Sequence, residues 1–335
     1  MSKETRQHSL EFDFVVCGVG IQNPYTGETL SVEKKEIEYR EKPLKNCLHI
    51  RYCIFVSRDS SVSNQEYVNT VIVKERDLFL QTYTLLLGRP SQILVHQARL
   101  DREVVEPKFP PQKIPSGLYN LISLWNRPNT NYYYTSLVYD DGWPILETLL
   151  KTFRSRPAIM QDNKIALPLR WFSKGANETN SLDRLVAFWI CFNALYENQD
   201  ELEWKAIENC VDDNLDQIIA ERFVSQNSPR LTTLSKFPIE LGRKNKRQIA
   251  QELRDLLNAS PQDSLLITRA AILTIYGVRN SLFHGDCNPE SVEDRRMIEL
   301  SERLLSKLMQ EFIAKQILEH PLPHNKFVIQ EKLGF

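Results

Sequence analysis

Apolar residues recur at two different periods along this chain, and the change of period divides it. Between residues 9 and 110 they fall mainly at every second position. Leu10, Phe12 and Phe14 alternate with Glu11 and Asp13, and Leu48, Ile50, Tyr52, Ile54 and Val56 keep a strict period of two. That is the pattern of strands with one buried face. Thr70–Val73 and Ile93–Val95 are shorter strand candidates. Asp77–Gly88 fits a short helix or a strand, and periodicity does not choose between them. Turn chemistry at Asn23–Gly27 and Ser57–Asn64 separates the runs, and the proline-rich stretch Lys108–Pro115 is a break.

After Trp143 the period becomes helical. Pro144–Arg154, Ser181–Asn198, Glu201–Phe223 and Lys244–Asn258 each predict a helix. The next has a marked start, with Ser260 as N-cap, Pro261 at the first helical position and Asp263 at the third. It is expected to end at His284, where Gly285 supplies the left-handed C-terminal residue. Asn288 and Pro289 open a last helix reaching about Glu319. Six helices with short joins predict an antiparallel bundle. The expected fold class is α+β: a β-rich domain over residues 1–140, then an all-α bundle over 141–335 with a tail from about 320.

Length and composition narrow the class. The 335 residues suggest about two domains, and 42% apolar with 25% charged residues is ordinary for a globular chain. Net charge is −1, made of +1 over residues 1–140 and −2 over the remainder. A globally basic nucleic-acid coat is excluded, though a local basic patch is not. No apolar run reaches the roughly 18–20 residues that span a bilayer. The first twelve residues are too polar for a signal peptide. Six cysteines are scattered with no C-x-x-C pair, so reduced thiols in a cytoplasm are expected.

Common catalytic motifs are missing. The chain has no P-loop, no G-x-G-x-x-G, no H-E-x-x-H and no G-x-S-x-G, and Cys and His are too dispersed for an evident zinc site. No metal or cofactor is expected. One stretch stands out: Tyr276-Gly277-Val278-Arg279-Asn280-Ser281-Leu282-Phe283-His284-Gly285-Asp286. At about 100° per residue, Asn280 and His284 lie nearly in line one turn apart, with Arg279 on the flank. A cation, an amide and an imidazole there make an anion-binding surface with a titratable group. Arg279 and His284 also suit plain C-terminal helix charges. So short a spacing recurs by composition alone, since Arg89 and His96 match it too, but in strand-like sequence around Pro90.

Arg279-Asn280-Ser281-Leu282-Phe283-His284 resembles the R-x4-6-H signature of the HEPN superfamily. About a hundred residues upstream, Leu169-Arg170-Trp171-Phe172, and then the apolar run Ser181–Leu195 with Asp183 near its start and Trp189 in its middle, resemble the opening of the Apea-like HEPN branch. The resemblance covers roughly residues 150–318. Asn193 departs from it, standing where relatives often carry Glu.

The resemblance implies a metal-independent RNA endonuclease, a toxin or anti-phage effector whose N-terminal domain senses a trigger or restrains the nuclease. Arg279, Asn280 and His284 would be its catalytic residues. The RNA 2′-hydroxyl would attack its own phosphodiester, leaving a 2′,3′-cyclic phosphate and a 5′-hydroxyl. His284 would move protons, Arg279 would hold the phosphorane oxygens and Asn280 would orient one or the other. Family members pair two bundles about a two-fold axis, so a homodimer or an assembly of dimers is implied, with RNA as substrate and a regulatory partner or antitoxin alongside. Non-catalytic relatives act in dimerisation and in RNA or protein binding.

Weaker candidates surround this set. Asp183, Tyr276 and Asp286 could line the site, although Asp183 also suits a helix N-terminus and Tyr276 core packing. Arg243, Lys244, Lys246 and Arg247 form the densest basic run and could contact RNA phosphates or simply form a solvated loop. Asn131–Tyr134 could stack bases or pack internally.

Overall fold

The computed structural model describes residues 6–17, 25–39, 42–58, 63–87, 92–105, 142–195, 203–241 and 247–319. The chain forms two compact units, Met1–Leu150 and Lys151–Phe335. The expected boundary, 140/141, lies outside the described residues. The class is α+β: one antiparallel sheet near the N-terminus and, among the described residues, nine α-helices.

In the first unit six strands pair in the order β2-β3-β4-β1-β5-β6. They are β1 (Arg6–Cys17), β2 (Tyr25–Thr26), β3 (Leu30–Tyr39), β4 (Lys42–Arg58), β5 (Gln92–Leu100) and β6 (Glu103–Val105). The period-two pattern sets the register. Phe12 faces Tyr52, Tyr52 faces Leu30, and Ile54 faces Leu10, so one sheet face is apolar and buried. Helix α1 (Asn64–Leu87) supplies Val68, Ile72, Phe79, Tyr83 and Leu86, all buried. The Phe79 ring meets Tyr52 edge-on at 5.9 Å.

The strand expected at Thr70–Val73 is therefore wrong: these residues are helical. Val68 and Ile72 sit one turn apart on the buried face, as do Phe79 and Tyr83, and that spacing overrides the β-branched run. Asp77–Leu87 is the same helix.

On the other sheet face the polar residues pair. Glu11 on β1 meets Arg51 of β4 at 2.9 Å and Arg99 of β5 at 2.8 Å. Helix α2 (Gly142–Ser155) stacks Trp143 on Tyr83 at 5.7 Å. Its buried Glu147 accepts hydrogen bonds from the Tyr25 hydroxyl at 2.7 Å and the Thr29 hydroxyl at 2.8 Å. The bond to Glu147 pushes the Tyr25 phenol up to about 12.

The second unit contains α3 (Asn163–Asn177), α4 (Ser181–Asn193), α5 (Glu203–Asn214), α6 (Gln217–Leu234), α7 (Ile249–Asn258), α8 (Ser264–His284) and α9 (Val292–Glu319), with a short 3-10 turn at Pro157–Gln161. Helix α3 has no counterpart among the six expected helices. It starts on Asp162, whose carboxylate accepts from the Lys164 amide at 2.9 Å, and it runs through Pro168. Leu169 and Phe172 of the Leu-Arg-Trp-Phe run lie on its buried side. A Cβ on Gly175 would come within 2.8 Å of the Phe188 ring, so this glycine lets α3 approach α4.

The helix expected over Glu201–Phe223 is two helices. Asp216 caps the second through the Ile219 amide at 2.8 Å. For α8 the cap is Asp263 rather than Ser260, accepting from the Leu265 and Leu266 amides at 3.0 and 3.1 Å. For α9 it is Ser291 rather than Asn288, accepting from the Asp294 amide at 3.1 Å. Each correction is a shift along a polar loop that offers several oxygen side chains as caps.

Candidate active site

Helix α8 sits against α5, α6, α7 and α9. Its middle is buried all round, with Ile267, Thr268 and every residue from Ala270 to Val278 inside. The Thr268 and Thr274 hydroxyls donate to carbonyls one turn back, at 2.8 and 2.7 Å, which lets them sit in that core. Burial ends at Val278. Arg279 and Asn280 are half-buried, and Phe283 and His284 are exposed. Gly285 follows with φ of +78° and closes the helix through its amide to Leu282. The sequence thus carries one helix out of the core and into solvent over the six residues that hold the candidate chemistry.

Five side chains interlock where the helix emerges. The Tyr276 ring stacks on Trp189 of α4, with centroids 5.7 Å apart and planes 21° apart. Its hydroxyl donates to Glu203 Oε2 at 2.9 Å and is also hydrogen-bonded to Asn280. Arg279 Nη1 donates to Asn280 Oδ1 at 2.8 Å and lies 3.6 Å from that same Glu203 oxygen. Burial is the main reason the Tyr276 phenol is held above its usual range. The Asn280 bond and the Arg279 charge pull it down, and the bond to Glu203 pushes it up. Glu203 opens α5, where a carboxylate complements the helix N-terminus.

The Arg279 guanidinium also lies against two rings, 5.9 Å from the Trp189 centroid and 4.7 Å from that of Phe283. Its side chain is 25% exposed, so the group is held but reachable. Its Nε is buried without a hydrogen-bond partner among the described residues. His284 is exposed and makes no hydrogen bond or ion pair among the described residues. The arrangement offers a fixed cation and an amide beside an imidazole open to solvent.

Of the sequence candidates, Arg279, Asn280 and Tyr276 share one bonded network, with His284 one turn beyond Asn280. Asp183 is exposed in the first turn of α4 and is not bonded to that network. Asp286 is exposed, and its amide donates to the Ser281 carbonyl at 2.9 Å as part of the helix cap. Arg247 is committed to two carboxylates, donating to Glu252 at 2.8 Å and to Glu208 at 3.4 Å, and the Glu252 bond raises its pKa. Arg243, Lys244, Lys246, Arg89, Lys108–Pro115 and Asn131–Tyr134 lie outside the described residues, as does the side chain of His96.

Sequence reasoning did not assign roles to Glu203, Trp189 or Phe283. Glu203 meets Tyr276 across 73 positions, and no local pattern marks it. Among the described residues no group of three or more His, Cys, Asp or Glu is placed to hold a metal ion, and no helix is long and apolar enough to cross a membrane. Comparison of the chain with family models, curated proteins and solved structures finds no match.

Proposed function

We propose that the helical unit is a HEPN-like, metal-independent endoribonuclease that cleaves RNA by attack of its own 2′-hydroxyl. The observation that carries this reading is the end of α8. There Arg279 and Asn280 are bonded to each other, and His284 stands one turn on with no competing partner among the described residues. An exposed imidazole has the chemistry to take or give a proton. A guanidinium keeps its charge and presents a planar fork to phosphorane oxygens. Asn280 accepts from Arg279 and so fixes its fork.

Attack moves the 2′-hydroxyl proton to a base and a second proton to the departing 5′-oxygen. The products are a 2′,3′-cyclic phosphate and a 5′-hydroxyl. One His284 supplies one of these two proton transfers at a time. Pairing of two chains about a two-fold axis would bring a second Arg279 and His284 to the same phosphate. In this reading the protein is a cytoplasmic toxin or anti-phage effector, restrained by its N-terminal unit or by a regulatory partner.

A second reading is favoured by the set of contacts that holds Arg279. Arg279 is already engaged by Asn280, Glu203 and two rings. Such a clasp suits a non-catalytic module for dimerisation or for RNA or protein binding.

The deciding experiment is cleavage of end-labelled RNA by purified protein in EDTA, beside His284→Ala and a substrate carrying 2′-methoxy groups. Cleavage by wild type alone, ending in cyclic phosphate, supports the nuclease. Strict dependence on Mg²⁺, or equal cutting of DNA, eliminates the mechanism. A folded, dimeric protein that cuts nothing under any condition, with or without residues 1–140, leaves the binding module.

A further inference from the structure

Phe283 is 62% exposed, on the last turn of a helix that is buried at every position from Ala270 to Val278. A lone exposed aromatic needs no explanation by itself. Two further observations distinguish this one. It directly precedes His284, and the Arg279 guanidinium lies over it with Cζ 4.7 Å from the ring centroid. The cation covers part of the ring, and the exposure shows that much of the ring surface remains open. A π-face is therefore presented to solvent beside a cation and an imidazole.

We propose that Phe283 is a stacking platform for an unpaired nucleobase, which sets single-stranded RNA as the form of polynucleotide this site accepts. The proposal rests on the nuclease reading for its placement of the phosphate. A nucleotide offers a flat aromatic face joined through its sugar to an anion. This surface offers the matching pair, a flat ring and a guanidinium in contact. A base on Phe283 would bring its phosphate toward Arg279 and His284. A base in a duplex has both faces occupied by its neighbours and cannot use the ring without unstacking. Arg279 also fixes the ring, so the platform is formed before RNA arrives. Stacking on an aromatic side chain is worth enough to change affinity by on the order of tenfold per base, and it tolerates any base.

The test measures binding of the full-length protein to a fully 2′-O-methylated single-stranded oligonucleotide, which cannot be cleaved. The same sequence is measured as a duplex and as an abasic strand of equal phosphate number. Phe283→Ala and Phe283→Leu should each weaken binding to the single strand about tenfold. Phe283→Trp should restore it, and the abasic strand should be bound equally by all variants. The duplex should bind wild type no better than the abasic strand does. Loss of a merely structural prop would lower binding to both single strands alike. Equal affinity of wild type and Phe283→Ala for the base-bearing strand, equal loss on the abasic strand, or no binding to the base-bearing strand at all would overturn the proposal.

Cleavage assayed in parallel separates this idea from the nuclease reading. Phe283-dependent binding without cleavage keeps the platform and removes the enzyme. His284-dependent cleavage with KM unchanged in Phe283→Ala keeps the enzyme and removes the platform.

Discussion

Two arginines of the helical unit each lie near an aromatic ring of α4 and beside a glutamate, yet they serve opposite ends. Arg184 sits 5.6 Å from the Phe188 ring and donates through Nε to Glu302 at 3.1 Å. Arg279 sits 5.9 Å from the Trp189 ring and 3.6 Å from Glu203. Glu302 is only 5% exposed and has Arg303 within 3.8 Å of its other oxygen. Glu203 is 28% exposed, and its Arg279 contact is longer than a hydrogen bond. In the first pair the carboxylate is buried and the cation exists to satisfy it. In the second, both partners touch water and the cation is held mostly by rings and an amide. Under the proposed function an RNA phosphate would replace Glu203 at Arg279 without stranding a buried charge, whereas nothing can replace Glu302 at Arg184 on those terms.

The largest effect separating these pairs concerns activity. Under the proposed function, His284→Ala should lower RNA cleavage by about 10²–10⁴ through lost proton transfer, and Arg279→Ala by nearly as much. Arg184→Ala, if still folded, should leave the rate per folded molecule within a few-fold of wild type. Single-turnover cleavage, normalised to folded protein by circular dichroism, measures all three. A folded His284→Ala that cuts as fast as wild type would remove the site assignment even if the protein is a nuclease.

Stability should rank the two arginines the other way. Arg184→Ala leaves the buried Glu302 carboxylate without its hydrogen-bonded partner, with only the half-exposed Arg303 at 3.8 Å, and should cost about 3 kcal/mol. Arg279→Ala removes a partly exposed contact and should cost about 1 kcal/mol or less. Urea unfolding of the two variants is the direct comparison. An equal loss would mean that Arg279 is as structural as Arg184, which favours the non-catalytic reading.

Gly285 gives a smaller and more local effect. Its φ of +78° lies where a side chain is strained, although nothing stands within 4 Å of an added Cβ. Gly285→Ala should therefore cost about 1 kcal/mol from backbone strain alone. It adjoins His284 without adding any group to it, so thermal unfolding should shift while the cleavage rate per folded molecule stays within a few-fold of wild type. A rate loss as large as that of His284→Ala would show that the helix end itself positions the imidazole.

These sites differ in how much of them a sequence displays. The end of α8 is legible because Arg279, Asn280, His284 and the Gly285 cap are joined by helix geometry over seven positions. The buried face of β4 is legible for the same local reason, since Ile50, Tyr52 and Ile54 alternate. Glu203 and Trp189 reach the site through packing of α4 and α5 on α8, and no periodicity within either segment points to Tyr276. Helix α3 is hidden by Pro168, which breaks the pattern without breaking the helix. Helix α1 is hidden by a β-branched run that carries strand propensity until Tyr52 and Phe79 meet. Local rules account for single elements and for chemistry confined to one of them. They fall silent where a partner arrives from another helix.

The smallest effect is a pH dependence that belongs to Arg184's partner alone. Burial holds the Glu302 carboxyl above its ordinary range; the attraction of Arg184 and Arg303 opposes this, and Glu299 adds to it. In the unfolded chain Glu302 titrates at an ordinary carboxylate value, so across the window between the two the folded state binds more protons. Stability from this group is then greatest below the unfolded pKa and declines as pH rises through the folded one. Glu302→Gln has no such proton to lose. The stability of wild type relative to Glu302→Gln should fall as pH rises from the ordinary carboxylate range, in urea titrations at several pH values. The opposite slope would mean that Arg184 outweighs burial at this site. The paired carboxylate would then behave like the partly exposed Arg279 contact, and the distinction between the two arginines would lose its electrostatic basis.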